Sequence, residues 1–236
     1  MVTQDPSPEI SHDAPRRLSA GVRTSGLAHF RILALTFTLT AAFPAPVFAT
    51  TFNVDSTADE VDVTPGDGAC ATAGGACTLR AAVQEANATA GLDTVALPAG
   101  VYFLTIAGTD NTADAGDLDI TDPLTITGAG ARSTIIDGNA IDRVFHSPTT
   151  DDLTMSGVTV RNGSIDGAGG GFEKGNGKLT LTDVTVTGNA ATGNGGGIST
   201  AGGQITLTSV TLANNTAANG GASCLNASSP CTSARP

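Results

Sequence analysis

Apolar and polar residues alternate along three segments of the chain that recur at a constant spacing. Residues 153–160, 179–186 and 205–212 align without a gap, and in the second segment Leu179 and Leu181 are each followed by threonine. A period of two places successive side chains on opposite faces, as in a β-strand. The pattern therefore predicts strands whose aliphatic side chains face inward and whose threonines face outward.

The alternation breaks at one place in every repeat. The step from Leu181 to Val184 is three residues long, and the other two repeats break at the same position. A change of parity predicts a bend between two short strands, here near Asp183. Further along, residues 186–189 and 212–215 are predicted to turn the chain, because asparagine tolerates left-handed backbone and bonds nearby main chain.

Glycine-rich loops follow the same spacing, since Gly-Gly-Gly-Phe172 recurs as Gly-Gly-Gly-Ile198. A fixed period of about 26 residues is typical of stacked repeats. One repeat is predicted to be one coil of about three strands, with successive coils paired in parallel at roughly 4.8 Å. Upstream the period is looser, because Leu124 precedes Leu153 by more than the regular step. Residues 94–222 have room for about five coils, and the predicted fold class is an all-β parallel β-helix.

One upstream segment has helical periodicity instead. Its apolar residues fall at i, i+3, i+4 and i+7, which is one face of a helix: Leu79, Ala82, Val83 and Ala86. Thr78 is predicted to cap this helix and Gly91 to end it. We expect the helix to lie across the open end of the solenoid, where it would cover unpaired strand edges.

The first 49 residues have the pattern of a secretory signal peptide. An apolar run at residues 32–43 follows Arg31 and precedes a small-residue cleavage site at residues 47–49. The run is too short to span a bilayer, and a buried core helix is the alternative interpretation. Cleavage is expected after Ala49, so that the mature chain is secreted or reaches the outer surface of a bacterial cell.

The charge of the mature chain argues against several classes of partner. The chain has 11 basic and 22 acidic residues. Four of the basic and three of the acidic residues precede Thr50, so cleavage would leave 7 basic and 19 acidic residues. An acidic surface argues against nucleic acid and anionic lipid. We therefore expect no nucleic-acid partner, and no membrane span after signal cleavage.

The four cysteines form two closely spaced pairs, Cys70 with Cys77 and Cys224 with Cys231. An even count in an exported chain favours disulfides. A zinc site is the competing interpretation, but it requires tighter spacing within each pair. His146 is also the one histidine after residue 49. We predict two disulfides.

Residues 77–87 read CTLRAAVQEAN and closely resemble the motif that names the bacterial CSLREA domain. The resemblance extends to residues 52–59, 66–70, 97–102 and 116–120. This domain typically stands at the N-terminus of secreted or surface proteins with a right-handed parallel β-helix. The resemblance therefore implies that handedness, a pectate-lyase-like solenoid and export, and it implies no general enzymatic activity.

The chain departs from the family motif at Ala81, where the motif has glutamate. That glutamate would complete a capping box with Thr78, so its absence should weaken the cap by about 0.5–1 kcal/mol. The repeats around Ile198 also resemble those of chlamydial polymorphic outer-membrane proteins. The motif residues assigned to the capping helix are Thr78, Leu79, Arg80, Ala82, Val83, Ala86 and Asn87.

Enzymes with a parallel β-helix chiefly cleave acidic polysaccharides, so a lyase or glycoside hydrolase is the alternative function. A glycosidase needs two carboxylates held several ångströms apart, whereas Asp151 and Asp152 are adjacent in a turn. A lyase needs a base beside Arg or Lys. Arg161 and Arg143, the latter with His146, are candidates, but we expect neither to have an acid one coil away. We therefore predict no catalytic residues.

Five aspartates crowd into thirteen residues: Asp110, Asp114, Asp117, Asp119 and Asp122. Oxygen-rich loops can coordinate calcium, so these residues are weak candidates for a calcium site. Their spacing is not that of an EF-hand loop. The strand-like alternation around Leu118 favours an acidic surface loop, and we therefore expect no metal and no cofactor.

The sequence divides into four segments. We predict a signal peptide at 1–49, a CSLREA-like cap at 50–93, β-helix repeats at 94–222 and an irregular tail at 223–236. The tail is either a small disulfide-closed cap or a sign of truncation relative to longer surface relatives, and we expect truncation.

The leading functional hypothesis is a secreted or cell-surface β-helix with a structural or adhesive role and no catalysis. Its ligand would be extracellular, with carbohydrate or a host or cell surface as the candidates. Flat columns of threonine and asparagine do not identify that ligand.

Overall fold

The structure of the protein is a computed structural model that describes residues 49–221 and 223–225. Residues 1–48 of the predicted signal peptide and Cys231 of the predicted Cys224–Cys231 bridge lie outside the described residues. The elements of the first half are β1 (Thr51–Asn53), α1 (Leu79–Ala88), β2 (Asp93–Leu97), β3 (Gly100–Phe103), β4 (Leu118–Asp119), β5 (Leu124–Gly128), β6 (Thr134–Asp137), β7 (Phe145–Ser147), β8 (Leu153–Ser156) and β9 (Thr159–Arg161). Those of the second half are β10 (Ser164–Ile165), β11 (Phe172–Lys174), β12 (Lys178–Thr182), β13 (Thr185–Thr187), β14 (Ala190–Asn194), β15 (Ile198–Thr200), β16 (Gln204–Thr208), β17 (Thr211–Ala213), β18 (Thr216–Asn219) and β19 (Ser223–Leu225).

All of these strands pair in parallel, within four sheets. The sheet orders are β1-β2-β5-β8-β12-β16, β3-β6-β9-β13-β17, β4-β7-β11-β15-β19 and β10-β14-β18. The chain passes from one sheet to the next and then returns to the first, one strand further along. Four full turns separate β2 from β16, and β17 to β19 complete a last coil. The predicted parallel β-helix is confirmed.

The register between coils places like residues on top of one another. Leu179 pairs with Leu153 on one side and with Ile205 on the other. Leu153 and Leu179 are buried, whereas Thr180 beside them is partly exposed. The predicted alternation of inward aliphatic and outward threonine side chains is therefore correct.

Left-handed residues make the corner predicted within each repeat. Gly157, Asp183 and Ser209 have φ of 65°, 54° and 53°, and they occupy equivalent positions in three successive coils. Each separates the strand of the first sheet from the strand of the second, where the alternation of the sequence breaks.

The second turn lies within the predicted segments 186–189 and 212–215. The left-handed positions are Gly188 and Asn214, with φ of 67° and 55°. Asn189 is fully buried instead, and its Oδ1 accepts a hydrogen bond of 2.9 Å from the N–H of Gly163. Its Nδ2 donates to the carbonyl of Val160 at 3.2 Å. This asparagine therefore joins neighbouring coils rather than adopting the left-handed turn conformation.

The N-terminal segment contributes both a strand and the helix. β1 extends the first sheet beyond β2, and α1 packs against β1, β2 and β4. The side chain of Thr78 accepts a hydrogen bond of 3.1 Å from the N–H of Ala81, so the helix begins with a capped N-terminus. The helix is buried from Leu79 to Ala86 against the first coil.

The last described coil is more exposed than those before it. Leu207 is 43% exposed, whereas its register partner Leu181 is fully buried. β19 pairs with β15 beyond the predicted repeat boundary at residue 222. Within the described residues, no helix has the length and apolarity needed to cross a bilayer.

Candidate functional site

The arginine of the CSLREA-like motif forms a buried ion pair. Arg80 is fully buried, and its Nε donates a hydrogen bond of 2.6 Å to Oδ1 of Asp59. Its terminal nitrogens donate to the carbonyls of Ala113 and Gly116 at 3.0 and 2.9 Å. Arg80 therefore ties α1 both to the N-terminal segment and to the loop before β4.

Three further polar residues of the motif form hydrogen bonds with backbone groups of neighbouring segments. The Glu85 carboxylate accepts the N–H groups of Gly66 and Gly68 at 2.6 and 2.5 Å. Gln84 accepts the N–H of Asp62, and Asn87 donates to the carbonyl of Asp119 at 2.7 Å. These contacts give the polar part of the motif a structural role.

The first predicted cysteine pair is bridged. Cys70 and Cys77 form a disulfide with their Cα atoms 5.1 Å apart, directly before the N-terminus of α1. The bridge closes the loop of residues 70–77, which directly follows the segment held by Glu85.

The clustered aspartates do not form one loop site. Asp110, Asp114 and Asp122 accept hydrogen bonds from their own turn, from α1 and from the segment after α1. Asp117 and Asp119 are only 2% and 0% exposed. The expectation of an acidic surface loop is wrong for these two residues, because α1 and the loop before β4 cover them.

Asp119 begins a polar column that runs across three coils. It lies in register with His146 on β7, which in turn lies in register with Glu173 on β11. Nδ1 of His146 is 2.8 Å from Oδ1 of Asp119. The side chains of His146 and Glu173 are 16% and 36% exposed, so the column extends from beneath α1 to the surface.

Arg143 connects this column to a second buried acid. Its Nε lies 2.6 Å from Oδ2 of Asp117, and its terminal nitrogen contacts the Glu173 carboxylate. Arg161 likewise donates a hydrogen bond of 2.7 Å from Nε to Oδ2 of Asp137, on the neighbouring coil. The expectation that neither arginine has an acid one coil away is therefore wrong.

Burial perturbs the protonation of this region. Desolvation raises the pKa of Asp117 to about 7, with further increases from the charges of Asp119 and Asp142 that Arg143 offsets in part. Nearby on β11, burial lowers the pKa of Lys174, whose Nζ donates to a backbone carbonyl. A carboxyl with such a pKa can donate or accept a proton near neutral pH.

The three residues of the column are regularly spaced in the sequence, but their spacing differs from that of the aligned repeats. Asp119, His146 and Glu173 follow one another at an equal spacing, one position longer than that of the repeats. Each comes directly after an inward-facing apolar residue. Asp137 and Asp142 have no comparable regularity in the sequence. The partners of Asp137, Arg161 and Asn162, follow it by 24 and 25 residues, and Asp142 accepts a hydrogen bond from the adjacent Arg143.

A second feature is an open groove of about 420 Å³ beside the second sheet. Its lining includes Phe103, Asp137, Asn139, Asn162 and Ser164. Phe103 is 45% exposed, although it belongs to a regular strand. The groove therefore combines an accessible aromatic face with amide and hydroxyl groups.

The polar wall of the groove is held in place by Asp137. Its carboxylate accepts hydrogen bonds from Nδ2 of Asn162 and from the N–H of Asn139 at 3.0 Å. Asn139 and Ala140 have φ of 54° and 57°. Left-handed backbone costs roughly 1–2 kcal/mol at a residue such as alanine, so the wall keeps its shape through these surrounding contacts.

The first sheet presents an uncharged column of hydroxyl groups. Its members occupy the same outward position on six successive strands: Thr51, Thr94, Thr125, Thr154, Thr180 and Thr206. Strands in register lie about 4.8 Å apart, so this face is flat and regular.

The chain has no match among protein-family models, curated proteins or solved structures.

Proposed function

We propose that the protein is exported and acts as a structural or adhesive module that binds carbohydrate outside the cell. The groove beside Phe103 carries this proposal. An exposed aromatic ring offers apolar area at a site otherwise formed by polar groups. Sugars require this combination, because their C–H faces pack on rings while their hydroxyls bond amides and hydroxyls.

The charge of the chain points to neutral rather than acidic glycans. The sequence has twice as many acidic as basic residues, and Arg161, which lies next to Asn162 of the groove, is already paired with Asp137. A uronate or sulfated chain would therefore meet a surface of its own sign.

Three features support export and membership of the CSLREA-domain family. The first 49 residues have the pattern of a signal peptide. The disulfide between Cys70 and Cys77 fits an oxidising compartment. The resemblance of residues 77–87 to the family motif is consistent with the structural contacts of Arg80 and Glu85.

Binding to immobilised neutral and acidic polysaccharides tests the proposal. Phe103→Ala should weaken retention on a neutral polysaccharide at least about tenfold, since it removes the stacking surface. Leu92→Ala is the matched control, because Leu92 is also exposed, at 56%, but does not line the groove. Equal binding by both variants, or no retention on any polysaccharide, would contradict the proposal.

A polysaccharide-active enzyme is the second candidate function. The column from Asp119 through His146 to Glu173, with Arg143 beside it, supplies acids and cations from successive coils. Such groups are those that glycoside cleavage requires. Against this function, Asp117 and Asp119 are buried beneath α1.

Incubation of the protein with the same polysaccharides, followed by assay of new reducing ends, separates the two candidates. If the column is catalytic, chains should be cleaved and Glu173→Gln should abolish cleavage. Asp183→Asn, at an exposed corner, should leave the rate unchanged. Absence of cleavage by the wild-type protein would exclude the enzyme among the substrates tested.

A further inference from the structure

We propose that Asp117, Asp119 and His146 form a site for a divalent transition-metal cation, with Zn²⁺ as the preferred ion. Each of the three side chains has one potential ligand atom, and these three atoms lie within 4.8 Å of one another. The residues lie on and beside β4 and on β7, so adjacent coils supply them. This site is separate from the carbohydrate groove and does not depend on the proposed binding function.

The balance of charge around the three residues favours a cation. Asp117, Asp119 and the neighbouring Asp142 are each no more than 4% exposed, and Glu173 adds a fourth carboxylate at the rim. Among the described residues, Arg143 is the one guanidinium in contact with these carboxylates, since Arg80 donates only to the backbone carbonyl of Asp117. Buried negative charge is costly unless it is paired or bound to a metal, and one arginine cannot offset four carboxylates.

An unsatisfied oxygen points to the same site. Oδ2 of Asp117 is buried and accepts no hydrogen bond among the described residues. Nε of Arg143 lies 2.6 Å from it but is also without a hydrogen bond, so their contact is electrostatic and poorly directed. A terminal nitrogen of Arg143 is engaged by Glu173. A metal ion bound to the Asp117 oxygen would replace the Nε contact, and Arg143 would keep its contact with Glu173.

The remaining ligands are already oriented. Nδ1 of His146 lies 2.8 Å from Oδ1 of Asp119, and Oδ2 of Asp119 accepts the N–H of Ala113 at 3.3 Å. A cation bound between Nδ1 and Oδ1 would replace the direct contact between His146 and Asp119. An outer contact that fixes a ligating carboxylate is typical of metal sites.

The ligand set selects the type of metal. Calcium takes six to eight oxygen ligands, whereas this site supplies one imidazole nitrogen and two carboxylates. Imidazole with carboxylate suits zinc and other first-row transition metals. Zn²⁺ should therefore bind more tightly than Ca²⁺.

The test is titration of the chelator-treated, disulfide-intact full chain with Zn²⁺, Mn²⁺ and Ca²⁺ by calorimetry. We expect about one Zn²⁺ per chain. His146→Gln should lose more than the roughly 10- to 100-fold in affinity that removal of an outer partner costs. Asp183→Asn should bind like the wild type, because Asp183 lies at an exposed corner and is not one of the residues that form the column. Unchanged affinity in a folded His146→Gln variant, or preference for Ca²⁺, would overturn the proposal.

X-ray absorption at the zinc edge of the wild-type protein tests the ligands without any variant. The expected spectrum contains one imidazole with the remaining ligands oxygen. Sulfur scattering would instead place the ion on cysteines, and a shell without imidazole would place it elsewhere. Either result, like a wild-type chain that binds no Zn²⁺, would refute the site.

Discussion

Arg80 and Asp59 form an ion pair in which both side chains are buried, with Nε and Oδ1 2.6 Å apart. The pair joins α1 to the segment that follows β1. Oδ2 of Asp59 also accepts the N–H groups of Thr105 and Ile106 at 2.6 and 3.0 Å. A single carboxylate thus joins two parts of the N-terminal cap to the loop after β3.

Asp59→Ala should destabilise the protein by about 3–5 kcal/mol, because it leaves the Arg80 guanidinium buried without its partner. Urea unfolding followed by circular dichroism measures the change. Asp67→Ala is the control, since Asp67 lies in an exposed turn of the same segment, and it should change stability by less than about 0.5 kcal/mol. Equal effects would mean that the ion pair does not hold the cap.

Leu179→Asp should destabilise the protein by several kcal/mol, since it puts an unpaired carboxylate between Leu153 and Ile205 in a dry core. Thr180→Asp, one residue along, should have a mild effect because that side chain faces water. Denaturant melts of the two variants provide the comparison. If the two melts shift equally, the inward and outward faces have been assigned wrongly.

Asn189→Ala should cost about 1–3 kcal/mol, because the buried N–H of Gly163 loses its acceptor. Asn176→Ala is a suitable control, since Asn176 is an exposed asparagine in the turn before β12. Thermal unfolding of both variants gives the difference. A melt of Asn189→Ala that matches the control would show that the amide contacts between coils contribute little.

Stability of the metal-free protein should fall as pH rises from about 4 to about 7. Burial raises the pKa of Asp117 from 3.8 to about 7, so over this interval the folded state binds a proton that the unfolded state has released. Asp117→Asn should flatten this part of the profile. The measurement is denaturant unfolding across the pH range with chelator present. If the free energy of unfolding depends on pH in the same way in wild type and variant, the raised pKa of Asp117 is contradicted.

Protein recovered from outside the cytoplasm should begin at Thr50 and have no free thiol. The expectation rests on the signal pattern of residues 1–49 and on the disulfide of Cys70 with Cys77. Intact-mass analysis with and without reductant, together with thiol labelling, measures both properties. Residues retained before Thr50, or labelling of Cys70 without reductant, would count against it.

Sequence reasoning succeeded where structure is set by neighbours along the chain. The alternation around Leu179 determines which side chains face inward, and the parity break at Asp183 locates a corner, because both depend on a few adjacent residues. The cap at Thr78 is equally local. The second turn also lies within the predicted residues, where Gly188 and Asn214 adopt the left-handed conformation and Asn189 does not.

The candidate site was much harder to predict. Asp119 looks like an exposed strand residue in the sequence, and it is buried because α1 and a loop fold over it. Arg143 and Asp117 are separated by the length of one repeat, but they lie in the part of the chain where the period is loose and no alignment pairs them. Burial by distant segments and contacts across irregular coils leave no pattern in a single sequence.

The unbroken register between β12 and β16 makes each coil an interchangeable unit. Leu179 and Ile205 are one repeat apart, and every pair from Lys178 to Thr182 keeps that offset. Duplicating or deleting one whole coil here would give each neighbour the same contacts as before. Gain or loss of an odd number of residues within a strand would instead exchange the inward and outward faces of the residues that follow in it. In-frame duplication of whole coils is thus a route by which genes of this type can change length in evolution without altering the capped end.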